Sequence, residues 1–206
     1  LQNETNMGFS ATCNRGILEA GAADVVLLNS DARVQPKWLE GLIAAAYSAD
    51  AVGTATPFSD RPGAFSAPDI GNENSLPPGV SERDFALAMY RRGRGHYPSV
   101  PTGNGFCLYM RRDCLDAVGL LDAEAFPRGY GEENDFCMRA WRKGWTHVVA
   151  DRTYVFHERG VSFGHSKIEL IREGRIIVDA RYPEYKKAIE EFRHNVLLKG
   201  ARFQAR

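Results

Sequence analysis

The chain contains no apolar run approaching the roughly 18 to 20 residues needed to cross a bilayer, so no membrane span is expected. It also lacks an excess of charge. Its 26 basic residues balance 26 acidic ones, which excludes a global field that would recruit nucleic acid or coat an anionic membrane. Any anionic ligand has to be held by local groups. Cysteine is scarce and scattered: Cys13, Cys107, Cys114 and Cys137 form no C-x-x-C pair and no tight cluster with histidine. That pattern excludes structural zinc and a disulfide framework and fits a reducing cytosol. Internal repeats and low-complexity tracts are missing. Leu1 opens onto polar residues, with neither a charged segment nor an apolar stretch of the secretory kind. The expected location is cytoplasmic, or peripheral at the inner face of the membrane. With no initiator Met, the chain reads as part of a longer polypeptide with further domains.

What is present suits one globular domain and a tail: 206 residues, 44% hydrophobic and 25% charged. Phe9, Ala11, Ile17 and Leu18 recur at helical spacing between Met7 and Ala20, and Gly21 is placed to end that helix. Asp24-Val-Val-Leu-Leu28 has no polar alternation, the pattern of a strand covered on both faces. After Asn29-Ser-Asp31, Pro36 opens a helix with an apolar stripe of Trp38, Leu39, Leu42, Ile43 and Ala46, followed by a strand over 51–56. This order is that of an α/β domain, whose ligands gather beyond the carboxyl ends of the strands. Residues 57–101 hold seven of the ten prolines and one helix near 82–92, and read as a long binding loop or lid. A strand over 106–110, a short helix over 113–118, a helix over 135–143 and a strand over 146–150 follow. The tail reads as two charged helices, 166–173 and 183–198.

Four constellations could carry chemistry. Asn29 and Asp31, two apart at a strand end, point the same way and offer oxygens to a hard cation such as magnesium or manganese; from local sequence alone, an Asn-Ser-Asp turn capping the next helix is the simpler account of the same residues. Gly129-Tyr-Gly-Glu-Glu-Asn-Asp135 packs three carboxylates into four residues. Their charges suit a helix N-terminus, and one of them also suits a general base. His157 follows a strand and could join the cation, or merely pack. In Pro101-Thr-Gly-Asn-Gly-Phe106, two glycines let backbone amides approach a ligand, or form a plain hairpin. Trp141 and Trp145 read as core or as sugar-stacking faces, and Arg91, Arg92 and Arg94 as a solvated basic face or a phosphate grip.

Taken in order, these segments resemble the family 2 glycosyltransferases of GT-A fold, in particular the bacterial rhamnosyl- and galactosyl-transferase-like branch. Asn6-Met-Gly-Phe-Ser-Ala-Thr-Cys-Asn14 is similar to the family's N-x-G-F-[AS]-x-x-x-N segment, and Leu27-Leu-Asn-Ser-Asp-Ala-Arg-Val34 to its form of the metal-binding D-x-D motif, with Asn29 in place of the first Asp. Gly103-Asn-Gly-Phe106 and Arg111-Arg-Asp113 match the acceptor side. Gly131-Glu-Glu-Asn-Asp-Phe-Cys-Met-Arg-Ala140 with Gly144 matches the G-E-[DE]-x-D-x-x-x-R signature, and His157 stands where a histidine completes the metal or diphosphate site.

The resemblance implies a Rossmann-like, mixed and mostly parallel sheet flanked by helices. It assigns the catalytic core to residues 1–165, lacking its first βαβ strands, and a helical extension to 166–206. Asn6, Gly8, Phe9, Asn14, Asn29 and Asp31 would face the donor, and Gly103, Asn104, Gly105 and Phe106 the acceptor. Asp31, Asn29 and His157 would hold Mn2+ or Mg2+, and Glu133 would act as base, with Asp135 its rival and Glu132 beside it. The implied activity is an inverting, metal-dependent transfer from a UDP-, dTDP- or GDP-linked sugar to a carbohydrate or lipid-linked acceptor. Without a Q-x-x-R-W signature, it is expected to be non-processive. A non-catalytic sugar- or nucleotide-binding module of a larger polysaccharide-assembly protein is the alternative, and a metal-dependent nucleotidyltransferase a third.

Overall fold

A computed structural model describes residues 1–61, 63–157 and 164–206, the last span without side-chain detail for 164–167. Helix α1 (Phe9–Glu19) leads through Gly21, whose φ of 56° serves the turn, into β1 (Val25–Leu28). A short strand β2 (Ala32–Arg33), α2 (Trp38–Ala46) and β3 (Val52–Phe58) follow, then α3 (Glu82–Arg92), β4 (Ser99–Val100), β5 (Cys107–Met110) and α4 (Arg112–Val118). The last part comprises α5 (Glu132–Arg142), β6 (Thr146–Tyr154), β7 (Phe156–His157), α6 (Gly164–Arg181), α7 (Tyr185–Arg193) and α8 (Val196–Phe203).

The five-stranded sheet runs β1-β5-β3-β6-β4, and β2 pairs separately with β7. The sheet is mixed. β1, β3 and β6 point one way and β5 and β4 the other, with β3 and β6 directly parallel. Three strands therefore present their carboxyl ends on one side of the molecule, and that side carries the functional residues. β3 is buried throughout, and α2 lays Leu42, Ala45 and Ala46 onto the sheet, the Leu42 side chain alone being worth about 1.5 to 3 kcal/mol of burial. Close approach requires Gly41, where a Cβ would stand 2.1 Å from Thr153 Oγ1.

Several sequence expectations need correction. β1 is not covered on both faces. It forms an edge among the described strands, and Leu28 is 42% exposed. The helix expected from residue 135 begins at Glu132, because the Gly131 carbonyl already accepts from Asp135 N (2.8 Å), which puts the acidic cluster inside the first turn. The segment 183–198 is broken at Asn195, whose side chain caps α8 by accepting from Leu198 N. Part of the proline-rich segment packs as core: Phe65, Ser66 and Ala67 are buried, the Arg202 guanidinium donates to Ser66 O, and Tyr154 donates to Ala67 O.

Candidate active site

The carboxyl end of β1 delivers Asn29 and Asp31, and β7, just beyond β6, delivers His157. The short β2–β7 ladder pairs Ala32 with His157, and this brings the three side chains together. His157 Nε2 lies 3.0 Å from Asp31 Oδ1 and 3.3 Å from Asn29 Nδ2. One ring nitrogen cannot donate to the carboxylate and accept from the amide at once, and turning the Asn29 amide over would present its oxygen instead. With the Asn29 amide turned over, an imidazole nitrogen, a carboxylate and an amide oxygen would offer a divalent cation the donors it favours. No group of three or more His, Cys, Asp or Glu side chains converges among the described residues, so such a cation would need further oxygens from a ligand or water.

His157 is held from every side. Its N–H donates to Asp60 Oδ1 (2.8 Å), its carbonyl accepts from Arg61 Nε (2.7 Å), and its ring stacks on Phe106 at 5.2 Å between centroids. Asp60 and Arg61 follow β3, the third strand ending on this side. Sequence reading assigned them no role, since a lone Asp-Arg in a proline-rich loop carries no motif. Glu158 and Arg159, which follow His157 in the sequence, lie outside the described residues.

Phe106 also binds the two halves of the site, because its carbonyl accepts from Asn29 N (2.9 Å). The turn it ends is built with little tolerance. Asn104 N donates to Thr56 Oγ1 and Asn104 Oδ1 accepts from Phe106 N, while a Cβ on Gly103 would lie 2.4 Å from Leu108. On the far flank of this turn, a Cβ on Gly105 would lie 3.7 Å from Glu132 Oε1. Residues 103–106 thus separate the Asn29–Asp31–His157 group from the acidic turn of α5 by the thickness of one loop.

Within that turn the three acids differ. Asp135 is fully buried and accepts from Arg139 Nε, Arg181 and Tyr182 OH, each at 2.8 Å, so its carboxylate is fully engaged. Glu132 is buried, with Oε2 accepting from Gly131 N at 3.0 Å, and burial raises its pKa. Glu133 Oε2 is shielded from solvent and has no hydrogen-bond partner. Burial first, and the neighbouring Glu132 second, push the Glu133 carboxyl up to about 8. An orphaned carboxyl oxygen that titrates near neutrality is what a general base requires.

The amino-terminal residues divide likewise. Asn6 Oδ1 accepts from Gly8 N, Gly8 has φ 80° and touches the Pro127 carbonyl, and Phe9 N donates to that carbonyl. Phe9, Cys13, Val25, Leu28, Asn29 and Gly105 line a cleft of about 340 Å³ along the open side of β1. Asn14, expected on the donor, has a different partner: its amide donates to Leu121 O and accepts from Leu121 N, tying α1 to the turn after α4. Arg111, matched by sequence to the acceptor side, sits at the opposite end of β5 from Phe106. There it donates to the carbonyls of Ala46, Ala49, Asp50 and Val52, closing the C-terminus of α2. A buried guanidinium with that many carbonyl partners is structural. Trp145 packs on the core, whereas Trp141 is half exposed.

Comparison with known proteins gives the family and the fold. The family model described as "Glycosyltransferase like family 2" matches residues 1–175. The chain belongs to that family. Two uncharacterized proteins, from Mycobacterium tuberculosis (strain H37Rv) and Mycobacterium bovis, are each 30% identical over 156 residues, covering 74% of this chain and 54% of the relative. This glycosyltransferase-family chain thus spans about half the length of those relatives. Among solved structures, GalNAc-T7 with UDP, GalNAc and Mn2+ matches at a TM-score of 0.60 and 17% identity, covering 100% of this chain and 42% of that one. The likeness establishes the GT-A fold. Among the described residues no helix is long and apolar enough to cross a membrane.

Proposed function

We propose that this domain is the catalytic core of an inverting glycosyltransferase that moves one sugar from a nucleoside diphosphate to an acceptor hydroxyl, with Glu133 as general base. The observation that carries this reading is the unpartnered Oε2 of Glu133, in the same helical turn as Glu132, which lies against Gly105 of the turn whose Phe106 stacks on His157. In the reaction, the acceptor oxygen forms its bond to the anomeric carbon as the bond from that carbon to the diphosphate oxygen breaks, and the hydroxyl proton passes to Glu133. Asp31, His157 and Asn29 would hold Mn2+ or Mg2+, which when bound supplies charge stabilisation to the departing diphosphate. Asp60, Arg61 and Phe106 fix the imidazole for that purpose.

Gly103, Asn104 and Gly105 offer a backbone edge to the acceptor, a carbohydrate or a lipid-linked sugar. Phe9 and the cleft beside β1 lie against the donor side, with Asn6 and Gly8 shaping the turn that presents Phe9. The UDP and Mn2+ of the GalNAc-T7 structure support a nucleotide-sugar donor and a manganese requirement, with UDP-, dTDP- and GDP-sugars the panel to test. Asp135 is read as a positioning residue. The deciding experiment screens that panel by thermal shift with and without manganese and then assays Glu133→Gln. Loss of turnover with nucleotide binding retained supports the proposal. Unchanged turnover in that variant would overturn Glu133 as the base, and nucleotide binding with no turnover in the unsubstituted protein would leave a binding module.

A further inference from the structure

The C-terminal helices touch the catalytic turn at an unusual place. Gly174, in the middle of α6, lies so close to the loop before α5 that a Cβ would stand 1.8 Å from the Tyr130 carbonyl oxygen and 3.7 Å from Gly131 Cα. That loop has three consecutive residues at positive φ, Gly129 at 84°, Tyr130 at 69° and Gly131 at 152°. For Tyr130 the left-handed conformation is unfavourable and has to be held by its surroundings. Farther along, Arg181 and Tyr182 bind Asp135, and Tyr185 OH donates to Asn134 Oδ1 at 3.1 Å. Phe126, Met138, Val178, Tyr182 and Tyr185 seal the contact as a separate apolar cluster. Loop 129–131 and the first turn of α5 are therefore gripped from outside at both ends.

We propose that α6 and the start of α7 are a brace for the catalytic turn, with Gly174, Tyr182 and Tyr185 as positioning residues that set where Glu133 meets the acceptor. The inference rests on the reading of Glu133 as base. The Asn29–Asp31–His157 group stands in the turn between β1 and β2 and on β7, outside the brace, so the two functions of the site are separable. Titratable groups facing Glu133 are Glu132 and Cys137 on α5 and Tyr185 on α7. A shifted loop changes the first of these contacts and admits water.

The test uses the full chain with 13C-labelled glutamate side chains, following the Glu133 carboxyl by NMR as pH is varied. Gly174→Ala drives a methyl group into the Tyr130 carbonyl. The expected result is a folded protein with unchanged manganese-dependent UDP binding, a Glu133 midpoint moved down toward the ordinary carboxylate range, and kcat reduced about 10²-fold on the accepted nucleotide sugar while KM for the donor holds. Tyr182→Phe removes one hydroxyl and leaves the apolar cluster, and should move the midpoint in the same direction by less. It decides the matter alone if Gly174→Ala does not fold. A wild-type midpoint and wild-type kcat in the folded variants would overturn the brace. Retained turnover in Glu133→Gln would instead overturn the base assignment itself.

Discussion

Three carboxylates within four residues carry one kind of chemistry in sequence and three in space. Asp135 meets two guanidiniums and a phenol, Glu132 turns back onto Gly131 N, and Glu133 keeps an oxygen unpaired. Glu133→Gln is expected to lower kcat by about 10²- to 10⁴-fold, with UDP and manganese binding retained in the same preparation. kcat/KM should rise with pH on an acid limb approaching about 8, because the proposed base works only when deprotonated and burial holds its proton. Asp60→Ala removes the acceptor for His157 N, and manganese affinity measured by calorimetry in the presence of UDP is expected to fall about tenfold or more. Asp31→Ala should weaken metal-dependent nucleotide binding further, since it removes a proposed ligand and not its support.

At the level of elements, glycines mark where secondary structures are forced together. Gly131→Ala would put a Cβ 2.6 Å from the Phe126 ring at a φ of 152°, so urea denaturation should show a loss of about 1 to 3 kcal/mol together with lower turnover. α3 offers a contrast away from the site. Ser81 Oγ accepts from Asp84 N, and Ser81→Ala should cost about 1 kcal/mol of stability without touching kcat. Helix boundaries of this kind were legible in the sequence because caps and periodicity are local; the range 82–92 for α3 is an instance. The two-residue strands β2 and β7 were not legible. They exist only because Ala32 and His157, 125 residues apart, are carried to one place by the sheet.

For the whole molecule, two buried groups set opposing pH dependences. His147 donates through Nε2–H to the Cys137 carbonyl and accepts from Thr54 at Nδ1, and burial lowers its pKa to about 4. The unfolded chain takes up that proton from about 6.5 downward, so the His147 contribution is present above 6.5 and is lost as pH falls toward 4. Glu133 acts in the other direction. Its native carboxyl keeps a proton that the unfolded chain releases near 4.5, so its contribution is present at low pH and is lost as pH rises through about 8. Between 4.5 and 6.5 the contributions of these two groups nearly cancel, and from 6.5 to 8 the Glu133 decline is the one that remains of the pair. Urea midpoints across pH should show that decline, and Glu133→Gln should reduce it.

The order of elements, the α/β class and the positions of Asn29, Asp31, Glu133 and His157 in their motifs were determined by local sequence. Apolar period, strand-ending polar residues and glycine turns all act over a few neighbours. Which carboxylate is paired and which is left open was decided only by tertiary structure, as were the roles of Asn14, Arg111, Asp60 and Gly174. The physical reason is range: a hydrogen bond from Tyr182 to Asp135, or a helix backbone against Tyr130, joins residues more than forty positions apart. No spacing rule along the chain encodes their meeting.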